Sequence, residues 1–339
     1  MKLIRPEDAV GHVLCHDLTQ IIKDQYKDAR FRKGHVVTEE DIPVLLSMGK
    51  EHLYVWEMTP GMLHENDAAE RLYALCVGAN MDRSEVKEGK IELKAACDGL
   101  FRVNSEKLIA VNSVEDIMIA TRKGGTAVRK GDKLAGMRVI PLIIPEEKRH
   151  ADEAADGDAP LLELKPWVRK TPAIVATGSE VKKGLIQDTF TPVVKEKLAA
   201  YGIETFSVAY SGDGVENVAN AVMEARATGA DVILCTGGMS VDPDDNTPGG
   251  IKASWAKIVT SGAPVLPGAM FLLGYYDDGT PVMGLPGCVM YAGATIFDLV
   301  LPFVAADVPV TRQQIVALGE GGLCLGCKPC HWPACPFGK

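Results

Sequence analysis

Four short apolar runs, at residues 172–177 (PAIVAT), 205–211 (TFSVAYS), 231–236 (DVILCT) and 280–285 (TPVMGL), alternate with segments whose apolar residues recur at helical spacing. Strand, helix, strand is the order that joins parallel strands, because a parallel return needs a long crossover. The alternation therefore restricts residues 169–307 to an α/β domain, three-layered αβα, with a largely parallel sheet. The helices between the runs have readable ends. Residues 189–202 place Pro192 early and Gly202 last, and residues 214–229 follow Asp213 and stop at Gly229.

The first 145 residues follow another pattern. Residues 1–60 read as an α+β segment, with a helix that begins at Thr38 or Asp41, stops at Gly49, and leads into a strand at 52–56. Residues 61–145 read as a small β-rich domain, with one helix near 65–77 and β-type runs at 90–96, 106–111 and 116–122. Residues 146–160, acidic and nearly free of apolar side chains, mark a linker spanning 146–168. A cysteine-rich C-terminal tail occupies 308–339.

Charge narrows the choice of ligand. The chain has 36 Lys and Arg against 45 Asp and Glu, a formal net charge of −9, and no stretch that clusters basic residues with aromatics. Nucleic acid is therefore not an expected partner. No apolar run reaches the length of a membrane span, and the first residues carry acids and a proline where a signal peptide would be apolar, so a cytoplasmic protein without membrane contact is expected. An anionic ligand would have to be held by helix N-termini and backbone N–H groups against the overall field.

Such groups converge where parallel strands end. Four turns occupy that position: Thr177-Gly178-Ser179-Glu180, Ser211-Gly212-Asp213, Thr236-Gly237-Gly238-Met239-Ser240 and Leu285-Pro286-Gly287. In the third turn the paired glycines let backbone approach a phosphate. Asp242, Asp244 and Asp245 follow it, as carboxylates for Mg²⁺ or as caps of turns and of the next helix.

These turns, with Asp188, Asp245-Asn246-Thr247-Pro248 and Pro267-Gly268 in this order and spacing, resemble the molybdopterin-binding domain family across residues 171–306. The family includes molybdenum insertases (molybdopterin molybdotransferases), molybdopterin adenylyltransferases and gephyrin-like fusions. Gly238-Met239-Ser240-Val241 is similar to the insertase loop, and Asp245-x-Thr247-Pro248 to the adenylyltransferase loop. Pro243 stands where insertases carry an acid, and Cys288 where they carry Asn.

The resemblance implies a role in molybdenum cofactor biosynthesis: binding of molybdopterin or its adenylate and Mg-dependent metal insertion by a transferase, with adenylyltransferase activity as second choice. It implies cofactor contacts from Thr177, Gly178, Ser179, Glu180, Asp188, Ser211, Asp213, Thr236, Gly237, Gly238, Met239, Ser240, Asp245, Thr247, Pro267, Gly268, Pro286 and Gly287. Catalytic roles fall to Asp245, Asp244 and Ser240, and Mg²⁺ to Asp242 and Asp245. Expected partners are molybdate or tungstate, a second copy of the chain, and a client molybdoenzyme. The alternative is a non-catalytic molybdopterin carrier or sensor that docks the client through the cysteine tail. Residues 9–19, 31–49 and 129–136 resemble, rearranged and shortened, the domains that insertases place before the pterin domain. The β-domain that insertases carry after it is expected to be absent, since only residues 308–339 follow.

Cys15, Cys76, Cys97, Cys235 and Cys288 are scattered and read as small buried hydrophobes, whereas Cys324, Cys327, Cys330 and Cys335 form C-x₂-C-x₂-C-x₄-C. Four thiolates so spaced suit tetrahedral Zn²⁺ or an iron–sulfur cluster, with His331 able to replace one; the other reading is a tail of oxidisable thiols. Cys288 sits at a turn where a helix N-terminus would lower its thiol pKa, or it serves packing. Tyr291 either meets a pterin ring or joins the core, and Trp255 is expected in the core.

Overall fold

The four apolar runs lie side by side in one sheet. In the computed structural model, which describes residues 2–23, 25–55, 61–145, 159–243 and 245–339, the sheet has six strands. Its order is Ser207–Ser211, Pro172–Thr177, Val232–Thr236, Pro281–Leu285, Leu272–Tyr275 and Lys257–Ser261. The first four are parallel, with Thr177 opposite Ser211, Ala176 opposite Thr236, and Thr236 opposite Leu285. The carboxyl ends of all four expected strands are therefore level.

The Pro172–Thr177, Val232–Thr236 and Pro281–Leu285 strands are buried along their whole length, as helices on both faces require. Side chains alternate between two cores. Ile174, Leu234 and Met283 pack with Val194, Leu198 and Val300, while Ala173, Val175, Ile233 and Cys235 pack with Val218, Val222 and Ile251. Each fully buried aliphatic side chain contributes about 1.5–3 kcal/mol. The three-layer architecture expected from the sequence is the one observed. The two antiparallel strands at 257–261 and 272–275 were not anticipated, because runs so short have no helical partner to mark them.

By its contacts the chain forms two compact units, residues 1–97, 102–124 and 129–164 in one, and residues 98–101, 125–128 and 165–339 in the other. Of the expected linker, residues 146–158 lie outside the described residues. In the second unit the C-terminal residues are ordered against the core: Phe337 is buried, and Gly338 N–H donates to Gly321 C=O.

The first unit contains a four-stranded antiparallel sheet in the order Met81–Arg83, Lys90–Ala95, Lys133–Val139 and Ile117–Thr121, with the helix Glu65–Cys76 against it. The expected strand at 106–111 is instead a helix, Ser105–Asn112, because the Asn104 side chain accepts from Lys107 N–H and caps its first turn. The expected helix near 41–49 is present as Asp41–Ser47, and the strand at 52–56 as Leu53–Val55.

Glu65, at the start of its helix, is only 6% exposed. Burial pushes its carboxyl up to about 7, against the attraction of the Arg138 guanidinium. A carboxyl whose folded pKa lies above its ordinary value of 4.5 holds its stability contribution below that value and loses it as pH rises through the folded pKa. The first unit is thus expected to lose stability, on the order of 3 kcal/mol, between pH 4.5 and 7. Chemical denaturation across that range should show this loss, and Glu65→Gln should flatten it; an unchanged slope would contradict the assignment.

Candidate functional site

The level strand ends open on a cleft of about 470 Å³ in the second unit. Its wall includes Thr177, Gly178, Glu180, Asp188, Asp213, Thr236, Gly237, Gly238, Asp242 and Asp245, all expected from the sequence. Its size falls within the range of small-molecule sites. Ala176, Val181, Ile186, Gln187, Thr189, Phe190 and Met290 complete it, and sequence reasoning missed them. Their nearness in sequence to the Thr177–Glu180 turn, to Asp188 and to the Leu285 turn was the only signal available.

Three hydroxyl and carbonyl groups fix the double-glycine turn. Thr177 Oγ1 donates to Thr236 C=O at 3.0 Å and lies 2.9 Å from Thr247 Oγ1. A threonine hydroxyl has one proton, so with Thr177 committed to the carbonyl the donor in the second contact is Thr247. Thr247 N–H also donates to Gly238 C=O. The chain passes over this cluster with Gly237 at φ 84° and Gly238 at φ 57°. A Cβ on Gly237 would strike Thr177 C=O, and one on Gly238 would lie 2.6 Å from Thr247 Oγ1. Glycine is required at both positions by geometry and by space.

The acidic side chains divide by partner. Asp245 Oδ2 accepts from Ser240 N–H at 2.8 Å, which ties the two ends of the turn. Asp213 accepts from Ser179 N–H at 3.3 Å, and Ser179 Oγ accepts in return from Asp213 N–H, joining the first two turns. Asp188 Oδ1 accepts from Phe190 and Thr191 N–H at 3.0 and 2.9 Å, while its Oδ2 is buried with no hydrogen-bond partner. A buried carboxylate oxygen without a donor costs on the order of 1–3 kcal/mol or more, so this oxygen gains whatever donor reaches it when the side chain or its surroundings move. Five carboxylates line the cleft, and none of its described lining residues is Lys, Arg or His.

Other expected residues stand apart. Ser211 is buried, with its hydroxyl donating to Gly212 C=O. Met239 is buried against Gly284, where a Cβ would lie 2.5 Å from its sulfur. Pro267 and Gly268 are not on the cleft wall; Gly268 leaves room for Ile296, whose Cγ2 an added Cβ would meet at 2.5 Å. Pro286 and Gly287 adjoin the cleft through the short turn Gly287–Met290 but do not line it. Asp244 lies outside the described residues.

Of the two readings of Cys288, the structure favours packing: it belongs to that short turn, and burial raises its thiol pKa. Two expectations are corrected. Trp255 is not core: it is 84% exposed, at φ 68° after a helix end. Tyr291 is also no core residue, at 81% exposed, since the turn carrying it ends before the next helix begins. Cys15, Cys76 and Cys235 are buried as read, with the Cys235 thiol pushed up to about 12 by burial.

The C-terminal cysteines do not converge. Cys324 and Cys335 are half-buried against the core, Cys327, Cys330 and His331 are exposed, and among the described residues no three His, Cys, Asp or Glu side chains are placed to hold a metal. The residues present therefore do not fit a four-thiolate centre.

Level parallel strands, a glycine turn and a cleft at their carboxyl edge define an α/β ligand-binding domain. Residues 173–306 match the family described as "Probable molybdopterin binding domain". Residues 3–57 match a family described as a domain of unknown function. The chain is 28% identical over 303 residues to a molybdopterin molybdenumtransferase of Staphylococcus epidermidis, covering 84% of this chain and 66% of that one. It is 40% identical over 87 residues to a CinA-like protein of Desulfosudis oleivorans, covering 25% of this chain and 21% of that one. The molybdopterin biosynthesis enzyme MoaB of Thermus thermophilus aligns at 20% identity and a TM-score of 0.32, over 40% of this chain and 91% of that one. The chain spans 16–21% of the length of the curated relatives it matches first.

The hydroxyl cluster gives a direct test. Thr247→Val leaves Thr177 Oγ1 without its donor and should lower stability by about 1–3 kcal/mol, whereas Thr247→Ser should be near neutral. Thermal denaturation of both variants distinguishes them, and equal losses would contradict the shared-hydroxyl arrangement.

Proposed function

We propose that the cleft binds molybdopterin or its adenylate and that the protein supports insertion of molybdenum or tungsten into it, as a cytoplasmic enzyme of cofactor biosynthesis. The observation carrying this reading is that Asp188, a residue lining the cleft, keeps a buried, partnerless Oδ2, and that the side-chain-free Gly237-Gly238 turn lines the same cleft. A pterin edge is rich in N–H donors and a phosphate needs close backbone approach, so the two features suit the two ends of one ligand. In this reading the phosphate lies against Gly237 and Gly238. Ser240 N–H, already held by Asp245, positions the turn.

A phosphate among five carboxylates needs a counter-charge. Mg²⁺ commonly takes one or two carboxylates together with substrate phosphate oxygens and water, so the absence of a preformed three-ligand group among the described residues is compatible with it. Asp242 and Asp245 would hold it. When bound, it would neutralise phosphate charge and polarise the phosphoryl group.

A carrier reading has one observation in its favour: Asp245, the expected catalytic acid, is engaged with Ser240 N–H within the turn. Incubation with adenylated molybdopterin, Mg²⁺ and molybdate separates the two. AMP release with active cofactor supports the enzyme; tight binding without turnover supports the carrier; no binding overturns both.

Asp188→Asn presents a neutral group where the carboxylate would accept from the pterin, and should weaken molybdopterin binding by about tenfold or more. Titration followed by pterin fluorescence measures this, and unchanged affinity would remove Asp188 from the site.

A further inference from the structure

The four C-terminal cysteines fall into two pairs that differ in surroundings. Cys324 and Cys335 are half-buried beside Trp332 against the main core, and Cys324 N–H donates to Leu266 C=O at 2.7 Å. Cys327 and Cys330 are exposed, separated by Lys328 and Pro329, at the tip of the loop between these anchors. Both ends of that loop are secured without any metal. Leu266 N–H donates to Gly322 C=O on one side, and on the other Phe337 is buried, stacks edge-on with Trp332 and is followed by Gly338 N–H donating to Gly321 C=O. A structural zinc site usually supplies the folding energy of its own loop, and here core packing supplies it.

One contact ties the loop tip to the cleft. Cys330 Sγ occupies the space beside Gly293, where an added Cβ would meet it at 2.7 Å. Gly293 follows the turn carrying the cleft residue Met290, and its carbonyl accepts from Lys197 Nζ at 3.4 Å. Lys197 is in turn paired with Asp298 at 2.6 Å. Gly293, three residues after Met290, therefore packs beside an exposed thiol.

We propose that Cys327 and Cys330 form a reversible redox pair, oxidised by small-molecule disulfides, whose state is transmitted through Gly293 to the Met290 side of the cleft. In the oxidation, one thiolate attacks the disulfide of the oxidant and releases the first small thiol. The second cysteine then attacks the mixed disulfide, forming the Cys327–Cys330 bond and releasing the second thiol. Two thiol protons and two electrons leave the chain, and one disulfide of the oxidant becomes two thiols. Bond formation draws Cys330 Sγ toward Cys327 and away from Gly293. The coupling to the cleft rests on the cleft being the ligand site, while the disulfide itself does not.

The test uses the full chain, incubated with oxidised glutathione, then quenched, alkylated and mapped by mass spectrometry. The expected product is a Cys327–Cys330 disulfide reversed by dithiothreitol, abolished in Cys327→Ser and Cys330→Ser, and retained in Cys324→Ser and Cys335→Ser. Hydrogen exchange should speed up severalfold at residues 290–293 on oxidation of the wild type and stay unchanged in Cys327→Ser. Stable glutathione adducts, a bond involving Cys324 or Cys335, or stoichiometric Zn²⁺ binding by the reduced chain that needs all four cysteines would overturn the redox pair. A disulfide with no change at 290–293 would overturn the coupling alone.

Discussion

The in-register pairing that sets Thr177, Ser211, Thr236 and Leu285 at one level is the constraint on which the rest of the second unit depends. Four parallel strands that ended at different heights would leave their turns staggered. Ended together, they bring glycine turns from sequence positions far apart onto one cleft. Full burial of three of the strands makes that register hard to change, because a slip of one residue would exchange the two cores.

Register brings the turns together, and local chemistry then shapes them. The hydrogen-bond chain from the Thr247 hydroxyl to the Thr177 hydroxyl to the Thr236 carbonyl fills the space under Gly237 and Gly238, and Asp245 closes the turn on Ser240. Residues expected as direct ligand contacts, Thr247 above all, hold the backbone that would make the contacts. Asp188 is the exception: one oxygen caps a helix start and the other is buried without a partner. Its place beside four other carboxylates means that, in the proposed reading, affinity for an anionic pterin would rest on backbone dipoles and a companion cation.

Much of the second unit was legible in the sequence because strand and helix periods differ and helix stops were marked by Gly202 and Gly229. The carboxyl-edge turns were legible for the same reason. What the sequence hid depended on packing between distant segments. Gly268 resembled a ligand turn, yet its lack of a side chain makes room for Ile296, and Met290 entered the cleft unannounced. Residues 106–111 have strand-like composition, and a single Asn104 cap makes them helical. Trp255 and Tyr291 look like core residues by type, but each follows the end of a short turn or helix where the chain faces solvent. The cysteine spacing suggested a closed metal site, and the packing of Phe337 and Trp332 divided the four thiols instead.

The central claim is that one cleft at the strand ends receives a phosphorylated pterin, and amide hydrogen exchange of the full chain with and without saturating molybdopterin tests it most directly. Slower exchange at 177–188 and 236–245 together, with little change in residues 61–145, is the predicted result. Protection confined to residues away from these turns, at an occupancy verified by pterin fluorescence, would contradict it.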